Sequence, residues 1–298
     1  MEKKTNKKAT AKKATAKKTT TKKTATKKVA VKKKTVKTDI SVLLPVHELT
    51  DDTRTLFANA VKSIEDQMTK PDAVLIIVPK GSDVFKELSK YDFGAIKSIV
   101  TIVENDGKTD FSSQINLGVE VAKTEWVSIL ELDDEYAKIW FKNVVEYRAA
   151  HSDVDMFLPL IVDVNEQTQF IGLTNEAVWA QSFSEEMGIL DNGALLTYQN
   201  FNIDGSVIKK SLFEDFGGLK SNIKLTFIYE FLLRMTFKDN KIFVIPKFGY
   251  KHLNQRVGSL FHSYKAELDP VESKWWLSQA KKEYYFEQDR VVDYEETN

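Results

Sequence analysis

The sequence predicts an α/β fold, a mostly parallel sheet flanked by helices, preceded by a disordered basic tail and followed by a C-terminal helix. Short apolar runs alternate with amphipathic stretches, the first 38 residues hold sixteen Lys against one Glu, and aromatic residues gather after Pro270.

The elements follow in order. Ile40 to Val46 is a nearly continuous apolar run, as expected of a strand buried on both faces. Leu56, Phe57, Ala60, Val61, Ile64 and Met68 then share one helical face. Thr50, Asp51 and Asp52 are capping candidates before that helix, and Pro71 ends it. Ala73 to Val78 is a second buried strand, closed by Pro79, Lys80, Gly81 and Ser82. Ile96 to Val103 is a third strand, Phe111 to Ala122 a helix, and Trp126 to Leu130 a fourth strand that runs into Glu131, Leu132, Asp133, Asp134 and Glu135. Crossovers this short imply parallel strands with helices on both faces. Ligands of such sheets bind outside the carboxyl ends of the strands. Pro45 to Glu48, Pro79 to Ser82, Glu104 to Gly107 and Glu131 to Glu135 should therefore converge on one crevice.

The second half is less regular. Met156 to Val164 reads as a strand, and Asn165 to Asn202 as mixed structure with a turn at Asp191, Asn192 and Gly193. Val207 to Phe216 reads as a short helix before Gly217 and Gly218, Ile223 to Phe237 as a buried helix, and Lys241 to Pro246 as a strand. Trp275, Trp276, Leu277, Ala280, Tyr284 and Tyr285 suggest a docking helix at the C-terminus. The expected organisation is a tail over 1–38, one α/β domain over 39–264 and a helical extension over 265–298, with no further domain boundary.

A formal net charge of zero hides two opposed halves. The tail carries +15, and the remainder, with 27 basic and 42 acidic residues, carries −15. Lys pairs recur every five residues from Lys7 and Lys8 through Lys12 and Lys13, Lys17 and Lys18, Lys22 and Lys23, to Lys27 and Lys28. That period spirals around a helix and makes no apolar face, so no core can form there. Fully extended, the tail reaches on the order of 125 Å at ~3.3 Å per residue. Such a polycation neutralises phosphates with little regard for base sequence, which makes nucleic acid or another polyanion the expected partner. A solvated spacer, or a tail folded back on its own acidic body, is the other reading. Its composition resembles the Lys-rich tails of linker histones.

There is no Cys, which excludes disulfides, thiolate metal sites and a Cys nucleophile. No apolar run reaches the ~20 residues of a membrane span, and no h-region of a signal peptide follows the basic start. The expected location is the cytoplasm or the interior of a virion.

Glu131, Asp133, Asp134 and Glu135 follow the fourth strand directly. Carboxylates this close repel unless a cation neutralises them, and hard oxygen ligands suit Mg²⁺ or Mn²⁺. A solvated acidic turn is the alternative in a body this acidic.

The series resembles the family 2 nucleotide-sugar glycosyltransferases. The resemblance runs over roughly residues 39–262: Ile40 to Glu48 with the first strand, Ala60 to Gln67 with the helix after it, Ala73 to Ser82 with the second strand and its turn, and Asn105, Gly107, Asn116, Leu117 and Gly118 with the segment before the metal motif. Ile129 to Asp134 resembles the Asp-X-Asp-Asp motif, Gly205 to Gly218 the acceptor-side segment, and Glu230 to Arg234 and Gly258, Ser259 later landmarks. The resemblance implies a GT-A-like, Rossmann-type fold, a nucleotide-diphosphate sugar lying across the strand ends, and Mn²⁺ or Mg²⁺ gripping the diphosphate. It implies Asp133 and His252 at the metal, and Pro45, Val46, Glu48, Lys80, Asn105, Asn116, Glu131 and Arg256 around the nucleotide sugar. Two departures stand out. Lys80 replaces an Asp that the family offers to the nucleobase, and Lys has no acceptor atom. The family's Glu-Asp base motif falls on Phe227 and Ile228, which leaves Glu230 as the nearest candidate base.

Two functions from different classes follow. One is an inverting, metal-dependent transfer of a sugar from a nucleotide-diphosphate donor to an acceptor hydroxyl. The other is a catalytically inactive glycosyltransferase-like structural protein, such as a virion component, whose basic tail binds nucleic acid or another polyanion.

Overall fold

The computed structural model describes residues 37–254, 256–259, 262 and 274–282, so the Lys pairs from Lys7 to Lys28 lie outside the described residues. Strands β1 (Ile40–Pro45), β2 (Ala73–Val78), β3 (Val100–Glu104) and β4 (Trp126–Ile129) pair in parallel in the order β3-β2-β1-β4. Helices α1 (Asp51–Glu65), α2 (Asp83–Leu88) and α3 (Phe111–Val121) make the crossovers.

Successive strand residues point to opposite faces, and both faces of β1, β2 and β4 are covered, whereas edge strand β3 leaves Thr101 and Glu104 exposed. Ile40, Val42, Leu44, Val74, Ile76 and Val78 pack with Phe57, Ala60 and Ile64 of α1, whereas Leu43, Leu75 and Ile77 pack with Ile115 and Val119 of α3. That double burial is why these strands show no polar alternation. Thr50 caps α1 as expected, in a reciprocal pair with Thr53: Thr53 N donates to Thr50 Oγ1 at 3.3 Å and Thr50 N to Thr53 Oγ1 at 2.8 Å.

The third strand starts later than its apolar run suggests. Gly94 takes a positive φ of 52° and Ala95 N donates to Glu65 Oε1 at 3.0 Å, which winds Gly94–Ile99 into a 3-10 turn ahead of Val100.

The chain then returns to the far side of β1, so β1 and β4 flank the switch point of the sheet. The carboxyl ends line up: Val46 N bonds Ile77 O at 2.8 Å, Asn105 N bonds Val78 O at 2.9 Å, and Leu130 N bonds Leu43 O at 3.0 Å. The four turns therefore lie along one edge of the sheet.

The second half completes the sheet as β4-β9-β6-β10-β5. Its elements are β5 (Glu135–Tyr136), α4 (Trp140–Ala150), β6 (Met156–Val164), β7 (Phe170–Thr174), β8 (Ile189–Leu190), α5 (Asn192–Thr197), β9 (Val207–Lys209), α6 (Lys210–Phe216), α7 (Phe227–Phe237) and β10 (Ile242–Leu253). The helix expected from Val207 begins only at Lys210. Val207 and Ile208 fill a slot between β4 and β6, and antiparallel pairing on both sides overrides their local preference. The helix expected from Ile223 begins at Phe227, after a turn in which Ile223 N bonds Lys220 O at 3.2 Å. Strand β10 runs well beyond Pro246. The proline lies at a register shift between Val244 and Phe248, where its missing N–H breaks no ladder.

Helix 274–282 docks through Ala280 and Leu277 onto the core face that α7 covers, and Thr226 Oγ1 donates to Trp276 O at 2.8 Å. Trp275 stays half exposed, and Tyr284 and Tyr285 lie outside the described residues. Among the described residues, no helix is long and apolar enough to cross a membrane.

Candidate functional site

The segment after β4 turns at Asp134, whose N–H bonds Glu131 O at 3.3 Å, and then enters β5. Strand β5 pairs with Tyr250 and Lys251 of β10, which carries His252 and Leu253 to the same turn. Leu253 N donates to Asp134 Oδ1 at 2.7 Å. Strand β6 lies beside β10 with Asp163 opposite His252, and His252 Nδ1 meets Asp163 Oδ1 at 2.8 Å.

The approach to β9 brings in Asp204. Gly205 N bonds Ile129 O at 2.9 Å, and Trp140 Nε1 donates to Gly205 O at 2.8 Å. Gly205 has a φ of +71° and its α-carbon lies against the Tyr250 ring, so a side chain there would clash. The Tyr250 hydroxyl in turn accepts from Glu131 N at 3.0 Å.

Asp134, Asp204 and His252 each offer a ligand atom within 4.8 Å of the others. Asp134 and Asp204 are 1% exposed, and their Oδ2 and Oδ1 atoms, respectively, have no hydrogen-bond partner. A buried carboxylate oxygen without a donor is costly unless a proton or a cation meets it. Two carboxylates and an imidazole suit Mn²⁺ or Mg²⁺, with Asp163 fixing the ring as carboxylates commonly do behind metal-bound His. The residues present therefore fit a divalent cation.

The electrostatics agree with an uncompensated cluster. Burial, then Asp134 and Asp133, push the Glu131 carboxyl up to about 8. Burial also pushes Asp134 up to about 8, with Asp133 and Asp204 adding repulsion against the opposing pull of His252. Asp204 is raised well above its ordinary value by burial and by Glu131. Burial works against charge on His252, yet Asp134, the bond to Asp163, Asp204 and Glu131 together hold its value well above normal.

The anticipated site residues divide. Glu131 and His252 join the cluster, but Asp133 is held by Arg256, whose Nε donates to Asp133 Oδ2 at 2.6 Å with both side chains largely covered. His47, beside Pro45 and Val46, feels both members of that pair; its value is lowered chiefly by burial. Glu48 is exposed and 3.7 Å from His47 Nε2. Lys80 is exposed at the end of β2. Asn105 folds the turn after β3, accepting from Gly107 N at 2.7 Å and donating to Lys108 O at 2.7 Å. Asn116 clamps Leu219 through two bonds of 2.8 Å. Glu230 is fully buried and accepts from Arg234 Nε at 2.8 Å and Nη2 at 3.1 Å, while Arg234 also holds the carbonyls of Phe216, Gly217 and Gly218.

Asp134 was anticipated within the acidic turn but not singled out for a cation, and Asp204 and Asp163 were not anticipated. The one signal for Asp204 is a polar residue wedged between buried Ile203 and a Gly205, Ser206 turn.

The profile of glycosyl transferase family 2 matches residues 41–215. Similar solved structures include S. aureus TarS residues 1–349 in complex with UDP-GlcNAc (16% identity, TM-score 0.57, covering 75% of this chain and 60% of that one). The same TarS fragment in complex with UDP gives 14% identity and a TM-score of 0.55, over 72% of this chain and 60% of that one. At that identity the likeness speaks for the fold, and this chain spans 60% of the length of those TarS chains. No curated protein matches the sequence. With the profile covering more than half of its length, the chain belongs to glycosyl transferase family 2.

Proposed function

We propose that the protein transfers a sugar from a nucleotide-diphosphate donor to an acceptor hydroxyl with inversion, using Mn²⁺ or Mg²⁺ held by Asp134, Asp204 and His252. The observation that carries this is the pair of buried carboxylate oxygens without donors, facing an imidazole at the switch point of a family 2 sheet. A bound cation would neutralise the leaving diphosphate. The chain's own residues supply the rest. Asp163 orients His252. Arg256, beside His47 and paired with Asp133, would supply a second diphosphate contact. Lys80 offers the nucleobase a donor where the family offers an acceptor. TarS, by its titles, binds UDP and UDP-GlcNAc, which makes a uridine donor the first to try.

Calorimetry with Mn²⁺ and a panel of nucleotide sugars tests this. Binding that disappears in Asp134→Ala and Asp204→Ala is expected; no heat with any nucleotide sugar in the presence of Mn²⁺ would refute it.

A second reading has its own observation. By the sequence resemblance the family's base motif falls on Phe227 and Ile228, and Glu230 is engaged by Arg234. On that reading the domain binds nucleotide sugars without turnover, as a structural protein, and the polycationic tail supplies a polyanion-binding function. Product formation in a transfer assay removes it. Salt-sensitive DNA binding that vanishes on deletion of 1–38 supports the role of the tail; equal binding by both forms rejects it.

A further inference from the structure

We propose that the Thr174–Asn175 corner at the end of β7 is the positioning element of the candidate cation site, holding His252 through Asp163 and Asp204 through Asn202. This rests on the metal-dependent reading above and adds to it the residues that set the ligand geometry.

Two adjacent residues reach two ligands by separate routes. Thr174 Oγ1 donates to Asp163 Oδ2 at 2.8 Å, and the other Asp163 oxygen meets His252 Nδ1, also at 2.8 Å. With both carboxylate oxygens engaged, Asp163 has one orientation, and so has the imidazole. Asn175 works the other way round the site. It is fully buried at a φ of +73°, a conformation that non-Gly residues adopt rarely and mostly where surrounding bonds impose it. Its amide donates to Pro159 O at 2.9 Å and to Asn202 O at 3.0 Å, and its Oδ1 accepts from Asn202 N at 2.9 Å. Asn202 is thereby gripped by its backbone on both sides. Its own side chain then brackets Asp204: Oδ1 accepts from Asp204 N at 3.3 Å, and Nδ2 donates to Asp204 Oδ2.

This accounts for the orphaned atom. Asn202 occupies Oδ2 of Asp204, which leaves Oδ1 as the oxygen without a donor. The bond from Asn175 N to Asn200 O at 3.3 Å and that from Asn200 Nδ2 to Leu173 O at 3.1 Å close the corner, so both routes start from one rigid point. Partners of this kind behind metal ligands are typically worth about 10–100-fold in metal affinity.

The test is Mn²⁺ calorimetry on the full-length chain, read beside thermal unfolding. Thr174→Val removes the hydroxyl from a half-buried strand position with little change of shape. Asn175→Gly accepts the positive φ readily while deleting the three side-chain bonds. Asn202→Ala removes the bracket itself. Each is expected to weaken Mn²⁺ binding about 10–100-fold, and Thr174→Ser, which keeps the hydroxyl, is expected to bind like wild type. Variants that lower the unfolding midpoint yet bind Mn²⁺ with unchanged affinity would show a merely structural corner and overturn the proposal. If Asp204→Ala loses the ion while the corner variants keep it, the corner alone is wrong. If the wild type itself ignores Mn²⁺, the metal reading fails and takes this proposal with it.

Discussion

The first four strands and the last six solve the same packing problem by different means. From Ile40 to Ile129 every strand pairs in parallel with strands of that same half, and β1, β2 and β4 are buried on both faces. From Glu135 onward the strands are short or bent, mostly antiparallel, and joined by buried polar groups such as Glu230 with Arg234 and Asn175 with Asn202. Apolar area holds both halves, and the second adds buried, specific hydrogen bonds that also place the acidic cluster. Truncating a buried apolar side chain should therefore hurt either half, and truncating a buried polar one chiefly the second.

The largest effect is expected at Glu230. Replacing it with Ala leaves the Arg234 guanidinium buried without its carboxylate, at a cost of about 3–5 kcal/mol. Urea unfolding measures this, and a change under 1 kcal/mol would erase the contrast between the halves. Leu43→Ala in the centre of β1 should cost about 2–5 kcal/mol through lost burial and a residual cavity. The same unfolding series checks it, and it should leave Mn²⁺ affinity untouched.

Next comes pH. Glu131 and Asp134 are raised to about 8 in the fold, so their contribution is complete below the ordinary carboxylate range and is lost as pH climbs toward about 8. The raised His252 changes stability in the same direction. Thermal unfolding of the metal-free protein should therefore weaken between pH 5 and 8, and Mn²⁺ should flatten that slope; a melting temperature that rises over this range contradicts the buried cluster. The smallest effect is at the capping pair. Thr50→Ala should cost about 0.5–2 kcal/mol, read as a modest shift in the urea midpoint.

The same contrast explains what could be read from residues alone. β1, β2, β4, α1 and α3 announce themselves by local pattern, because their burial is set by neighbours close in sequence. Glu131 and His252 were legible as an acidic turn and a late His. Asp204, Asp163 and Asn202 were not, since each acquires its role only when β9 slots between β4 and β6 and when β6 aligns with β10. A three-residue strand such as Val207–Lys209 carries too little periodicity to distinguish it from the start of α6. Glu230 shows the converse: a carboxylate placed near a catalytic motif in the sequence is engaged in the fold by a guanidinium one helical turn away.

Packing Asp134 and Asp204 into the interior, with half-buried Glu131 beside them, ties the persistence of the folded chain to whatever neutralises them. Where divalent ions are scarce the globule should open more often, and proteases would remove it sooner. If the cluster takes a divalent ion as proposed, the amount of this protein in a cell would track the supply of that ion.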